Sequence, residues 1–127
     1  MKQNLTEREF EIMEALWTSD RPLHAGELLE RTRSISANSI HRIISNLLAR
    51  KYIKVAGSVQ MTRTMSRLYS PIISAEEFTW AQMNKIFKTE DGKSPISPLL
   101  MYLAKKNKKN TAELKQELLD IINNMED

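Results

Sequence analysis

A mainly α-helical fold with one small β-hairpin is predicted by three features of this 127-residue sequence. Apolar residues recur at helical spacing through residues 5–50. The period then changes from 3.6 to about 2 between Tyr52 and Ser70. Helical spacing returns from Ser74 to the end. The order is three helices, a hairpin, and a helical arm.

Thr6 and Glu9 have the spacing of a capping box and open the first helix. Phe10, Met13, Leu16 and Trp17 form its apolar stripe, while Glu7, Glu11 and Glu14 face water. Arg21-Pro22 enforces a turn. A short second helix is expected from His24 to Thr32, with Ala25, Leu28 and Leu29 facing the core. The third helix is the clearest. Ser36 is its expected N-cap, and Ile40, Ile43, Ile44, Leu47 and Leu48 make one buried face. Asn38, Arg42 and Ser45 lie opposite, flanked by Ser39, His41 and Asn46. Tyr52 to Val55 reads as a strand, Gly57-Ser58 as a turn, and Arg63 to Ser70 as the returning strand ended by Pro71. Three helices followed by a basic hairpin are the order of a winged helix-turn-helix, expected here over residues 1–72.

Residues 73–127 are expected to form a helical dimerisation domain. Ser74 and Glu77 repeat the capping-box pattern. A break follows at residues 90–95, then a short apolar helix, then a last helix from Thr111. Phe78, Phe87, Leu99, Leu100, Leu103, Leu114, Leu118, Ile121 and Ile122 give this arm more apolar stripe than a core of its size needs. The excess reads as a surface for a second copy of the chain, the other reading being that these helices pack back on the N-terminal domain.

Charge separates the two parts. Residues 1–72 hold 11 basic and 7 acidic side chains, and residues 73–127 hold 8 and 9. Between Glu30 and Glu76 there is no acid, but there are eight cations: Arg31, Arg33, Arg42, Arg50, Lys51, Lys54, Arg63 and Arg67. Such a segment repels itself, and an anionic partner accounts for it; a phosphate backbone is the commonest. A third helix whose outward face is small, polar and cationic suits base edges in a major groove.

Other chemistries find little footing. With no cysteine, disulfides, thiolate metal sites and a thiol nucleophile are excluded. Two histidines, His24 and His41, cannot alone build a metal site, and the three glycines are dispersed rather than gathered in a phosphate loop. No metal, cofactor or enzyme activity is expected. No apolar run approaches the ~20 residues of a membrane span, and the first residues lack the order of a signal peptide. A cytoplasmic protein with no membrane partner is expected.

The segments LTEREFEIMEALW (residues 5–17), SANSIHRIISNLLARKY (36–52) and LYSPIISAEE (68–77) resemble the penicillinase-repressor family, which includes the methicillin-resistance regulator and the copper-responsive repressor of Gram-positive bacteria. The resemblance covers roughly residues 5–122. It implies a homodimeric transcriptional repressor that occupies a palindromic operator in double-stranded DNA. Ser36, Asn38, Ser39, His41 and Arg42 match the contact positions of the recognition helix, and Arg63 and Arg67 those of the wing. Ser45, Arg50 and Lys51 complete the expected DNA-binding set. In the beta-lactam branch a sensor protease inactivates the repressor at an Asn-Phe bond; Met101-Tyr102 is the matching position here. The copper branch uses a paired-cysteine tail, which this chain lacks. The chain also departs from the family at Ile35, where Trp is usual, and at His24, where a small hydroxyl caps the second helix. The other reading of the sequence is a winged-helix module for protein–protein contact, which would expose apolar or mixed-charge residues on the third helix.

Overall fold

The computed structural model describes residues 4–87, 96–106 and 111–125. The element order is α1 (Glu7–Trp17), β1 (Leu23–His24), α2 (Ala25–Arg31), α3 (Ile40–Ala49), β2 (Ile53–Gln60), β3 (Met65–Pro71), α4 (Ala75–Phe87), α5 (Ile96–Lys106) and α6 (Thr111–Asn123). The strands form one antiparallel sheet in the order β1-β3-β2. Three helices and this sheet make a winged helix. The chain divides into two compact units, residues 1–82 and 83–127, and α4 crosses the division.

The capping box of α1 forms as its sequence requires. Glu9 donates its N–H to Thr6 Oγ1 at 3.2 Å, and Thr6 donates to Glu9 Oε1 at 3.0 Å. Ile12, Met13, Ala15 and Leu16 turn inward. Phe10 does not: it is 39% exposed. It forms instead an aromatic cluster with Trp17 and Phe78, with centroids 5.5–6.0 Å apart. Trp17 also donates its indole N–H to the Ile73 carbonyl at 2.8 Å. These contacts hold the start of α4 in the first unit, and the packing of that unit therefore runs on to Gln82.

His24 does two jobs. It pairs with Leu68 as the end of β1, and it caps α2. Its Nδ1 accepts from the N–H groups of Gly26 and Glu27, at 3.1 and 3.4 Å. Glu27 Oε1 accepts in return from the His24 N–H, completing a capping box with an imidazole in the usual hydroxyl position. A Cβ on Gly26 would stand 3.0 Å from the imidazole Cε1, so any larger residue there would press the capping ring to shift by a few tenths of an ångström. Arg21 hydrogen-bonds the same Glu27 and holds its carboxyl down at about 2.

The apolar face of α3 is as the spacing predicts: Ile40, Ile43, Ile44 and Leu47 are buried. Its start is later than expected. Ser39 is the N-cap, with no side-chain cap bond, and Ser36 lies a turn upstream. The Ser36 carbonyl, not its hydroxyl, accepts from the N–H groups of Ser39 and Ile40. The helix ends in a Schellman motif: Tyr52 N–H reaches the Leu47 carbonyl at 3.0 Å, and Lys51 N–H the Leu48 carbonyl at 3.1 Å. Lys51 occupies the left-handed position with φ 62°.

The hairpin corrects a second expectation. Gly57-Ser58 is not the turn; both residues lie within β2. Val55 pairs with Tyr69 and Gly57 with Leu68, so Ala56 is an extra residue and Gly57, at φ 148°, takes up the bulge. The strands continue to the pair Gln60–Met65, and the loop closes where Met61 N–H meets the Thr64 carbonyl at 2.7 Å. The wing is thus longer than the glycine suggests.

In the second unit α6 begins at Thr111 as expected; the sequence reads Lys105 to Lys109 as a polar link, but Lys105 and Lys106 belong to α5. The expected break at 90–95 lies outside the described residues. No described helix is long and apolar enough to cross a membrane.

Candidate nucleic-acid interface

Side chains of α1 hold the segment that leads into α3 and the residue that caps its end. Before α3, the Glu11 carboxylate accepts from the Arg33 N–H at 2.7 Å, from the Ser34 N–H at 3.3 Å, and from the Ser34 hydroxyl. The Ser34 hydroxyl, followed by the Arg33 N–H, holds the Glu11 carboxyl below the usual range. The approach to α3 is pinned by this one acid. After α3, Arg50 Nη1 donates to Glu9 Oε1 at 3.0 Å, and Nη2 donates to the Asn4 carbonyl. Glu9 is only 6% exposed, and the Arg50 guanidinium lies 4.8 Å from the centre of the Tyr52 ring.

Between these anchors α3 presents its polar face. Ser36, Asn38, His41, Arg42 and Ser45 are exposed, and Ser39 is half-buried. The Ser36 hydroxyl donates to Ser39 Oγ at 3.1 Å, which orders the turn entering the helix. No acid lies between Glu30 and Glu76, so this face carries no negative side chain of its own.

The remaining cations of the expected set are on the wing and at the helix end. Arg67 is exposed on β3 opposite Ser58. Arg63 is exposed in the wing loop. Lys51 is exposed in the left-handed cap. Among the described residues, Arg42, Lys51, Arg63 and Arg67 form no ion pair; Arg50 does, and stands apart from the others for that reason. The acids that hold α3, Glu9 and Glu11, are themselves occupied by donors.

Two of these features were not readable beforehand. The Glu9–Arg50 pair joins residues 41 apart in sequence, and the Glu11 contact spans 22. Neither spacing carries a local signal. His24 did carry one: a residue able to accept a hydrogen bond, with glutamate three positions on.

The expected dimerisation residues divide. Phe78 is half-buried against Phe10 and Trp17 within the first unit. Leu99, Leu100, Leu114 and Leu118 are half-buried. Leu103, Ile121 and Ile122 are exposed, the two isoleucines by about 60%. The Phe87 side chain lies outside the described residues. Met101 and Tyr102 are exposed on α5 in helical conformation. Among the described residues, no group of three or more His, Asp or Glu side chains could hold a metal ion.

No curated protein matches the chain. The model of a protein family described as penicillinase repressor matches residues 5–124.

Proposed function

The chain belongs to the penicillinase repressor family, and from that premise we propose that it is a homodimeric repressor that binds a palindromic operator through α3. The family makes it a transcriptional regulator. The observation that carries the finer reading is the face of α3: exposed, polar, cationic and free of acid.

In this reading α3 enters the major groove. Asn38 offers its amide to adenine, Arg42 its fork to guanine or phosphate, and Ser39 and His41 hydrogen bonds to either. Lys51, Arg63 and Arg67 set affinity through phosphates and the wing, with little sequence information. Two copies joined through the second unit would place their recognition helices on the order of 34 Å apart, one turn of DNA. An operator occupied in this way is closed to polymerase.

The sensor protease implied by the family resemblance would act at Met101-Tyr102. A protease binds extended chain, so cleavage there requires α5 to unwind locally.

Selection from randomised duplex DNA at near-physiological salt tests the proposal. Enrichment of an inverted repeat is the expected result. A folded chain that enriches nothing would turn the winged helix into a surface for protein contact.

A further inference from the structure

Sequence alone puts Arg50 among the phosphate-binding cations, because it lies in the acid-free segment at the end of the recognition helix. Its surroundings argue otherwise. Both terminal nitrogens are engaged, one by the buried Glu9 carboxylate and the other by the Asn4 carbonyl. The guanidinium carbon lies over the ring of Tyr52, itself 1% exposed. Glu9 Oε1 is shared: the same oxygen accepts from the Thr6 N–H that opens α1 and from Arg50.

We propose that Arg50 is a positioning residue for the recognition helix, not a phosphate contact. It bridges Glu9 and the Asn4 carbonyl, and so fixes the C-terminal end of α3 against the first turn of α1. The inference rests on the reading of α3 as the DNA-contacting helix.

The geometry favours this role on three counts. First, Glu11 holds the segment that enters α3 and the buried Ile40, Ile43, Ile44 and Leu47 hold its body, so release of Arg50 loosens the helix at its C-terminal end alone. Base-edge hydrogen bonds tolerate misplacement of only about 0.5 Å, so a tilt costs discrimination before it costs non-specific attraction. Second, Tyr52 carries the clamp onward. Its N–H closes the Schellman motif on Leu47, and its carbonyl accepts from Ile72 at 2.8 Å. The end of α3, the exit of the wing and the start of α1 therefore meet at Arg50 and Tyr52. Third, the bridge uses the two terminal nitrogens of a planar fork on two different acceptors, which an ammonium group does not reproduce.

A phosphate contact and a clamp predict opposite signs when Glu9 is neutralised. If Arg50 bound phosphate, Glu9→Gln would free the guanidinium and remove a nearby negative charge, so DNA would bind more tightly. If Arg50 is a clamp, Glu9→Gln loosens α3 and operator binding weakens.

The test compares Arg50→Ala, Arg50→Lys and Glu9→Gln in the full chain, well below each variant's melting temperature. Affinity for the selected operator and for random duplex is read across a salt series. All three variants are expected to lose about tenfold in operator affinity, the equivalent of one charged hydrogen bond. Random-duplex affinity and the salt slope of Arg50→Lys and Arg50→Ala should stay at wild-type values. Rescue by lysine, a salt slope reduced by about one in Arg50→Ala, or tighter binding by Glu9→Gln would make Arg50 a phosphate contact and overturn the proposal. Variants that melt earlier but keep operator discrimination would overturn it too, since Arg50 would then serve stability alone. Glu9→Gln keeps the carbonyl oxygen that caps α1, so one variant should remain folded even if both Arg50 variants do not. Should the wild-type chain enrich no operator, the DNA reading itself fails, an outcome distinct from variants that bind like the wild type.

Discussion

In residues 4–82 the apolar side chains close over a core, and Ile12, Met13, Leu23, Leu28 and Leu47 are wholly buried. In the described part of residues 83–125 none is buried to that degree. Met101, Tyr102, Ile121, Ile122 and Met125 all stand about 60% exposed or more. The same residue types thus meet opposite fates. In the first unit α1, α2 and α3 pack on one another and on the sheet, whereas α5 and α6 each carry exposed apolar side chains among their described residues. An exposed apolar stripe is the kind of surface to which a partner can be proposed. A second copy is the partner we propose.

The largest test of that contrast is Ile122→Asp. Ile122 is exposed in the single chain, so the substitution should not disturb its fold. It should halve the mass in solution. Operator affinity should then fall by about 10²- to 10⁴-fold as two linked contacts become one. Sedimentation at micromolar concentration checks the mass, and an unchanged value would refute the assignment of the surface.

The opposite probe is Leu47→Ala. Leu47 is 0% exposed and sits where α3 meets the rest of the core. Its truncation should cost about 2–5 kcal/mol, a large share of a small domain's stability. Chemical denaturation reads the loss, and Ile122→Ala serves as the control that should leave the melting of the first unit in place. Equal losses at the two sites would erase the distinction between the units.

The contrast also explains how much could be read in advance. Capping boxes at Thr6 and Ser74 and the isoleucine–leucine face of α3 are local patterns, and the structure reproduces them. Misreadings arose where a local cue had two meanings. Gly57 signals a turn, but glycine also serves a bulge, and here the longer-range pairing of β2 with β3 decided for the bulge. Phe10 falls on the helical stripe, yet Ile12 takes the core position, because the ring has Trp17 and Phe78 as neighbours at the rim. The two-residue strand β1 exists only through its pairing with Tyr69 and Leu68 and has no periodicity of its own. For the interface, the outward face of α3 was legible from helical geometry. The pairing of Arg50 with Glu9 was not, because composition counts a cation without showing whether it is already taken.

Within the first unit, fold and recognition should separate cleanly at Arg42. It is exposed on α3 and forms no ion pair among the described residues. Arg42→Ala should therefore leave stability within about 0.5 kcal/mol of wild type. Specific DNA binding should weaken by about 1–3 kcal/mol. Titration of the selected operator alongside a thermal melt checks both. A lowered melting temperature with unchanged binding would move Arg42 from the interface to the fold.

The smallest expected effect is at Lys51, where the two demands meet in one residue. Its φ of 62° is the left-handed cap that closes α3, a conformation that glycine adopts without strain and a lysine does not. Lys51→Gly should raise stability by up to about 1 kcal/mol, since the Schellman bonds of Lys51 and Tyr52 are made by the backbone and survive the change. If the ammonium group meets a phosphate, the same variant should bind DNA more weakly and lose about one from its salt slope. A thermal melt and a salt titration of one protein then give opposite signs. Higher stability with unchanged DNA binding would remove Lys51 from the interface. Unchanged stability would mean that the lysine side chain recovers the backbone cost through packing of its methylene stem. The opposite signs are the expected result, because the backbone strain sits in the left-handed φ and the charge sits at the end of an exposed side chain.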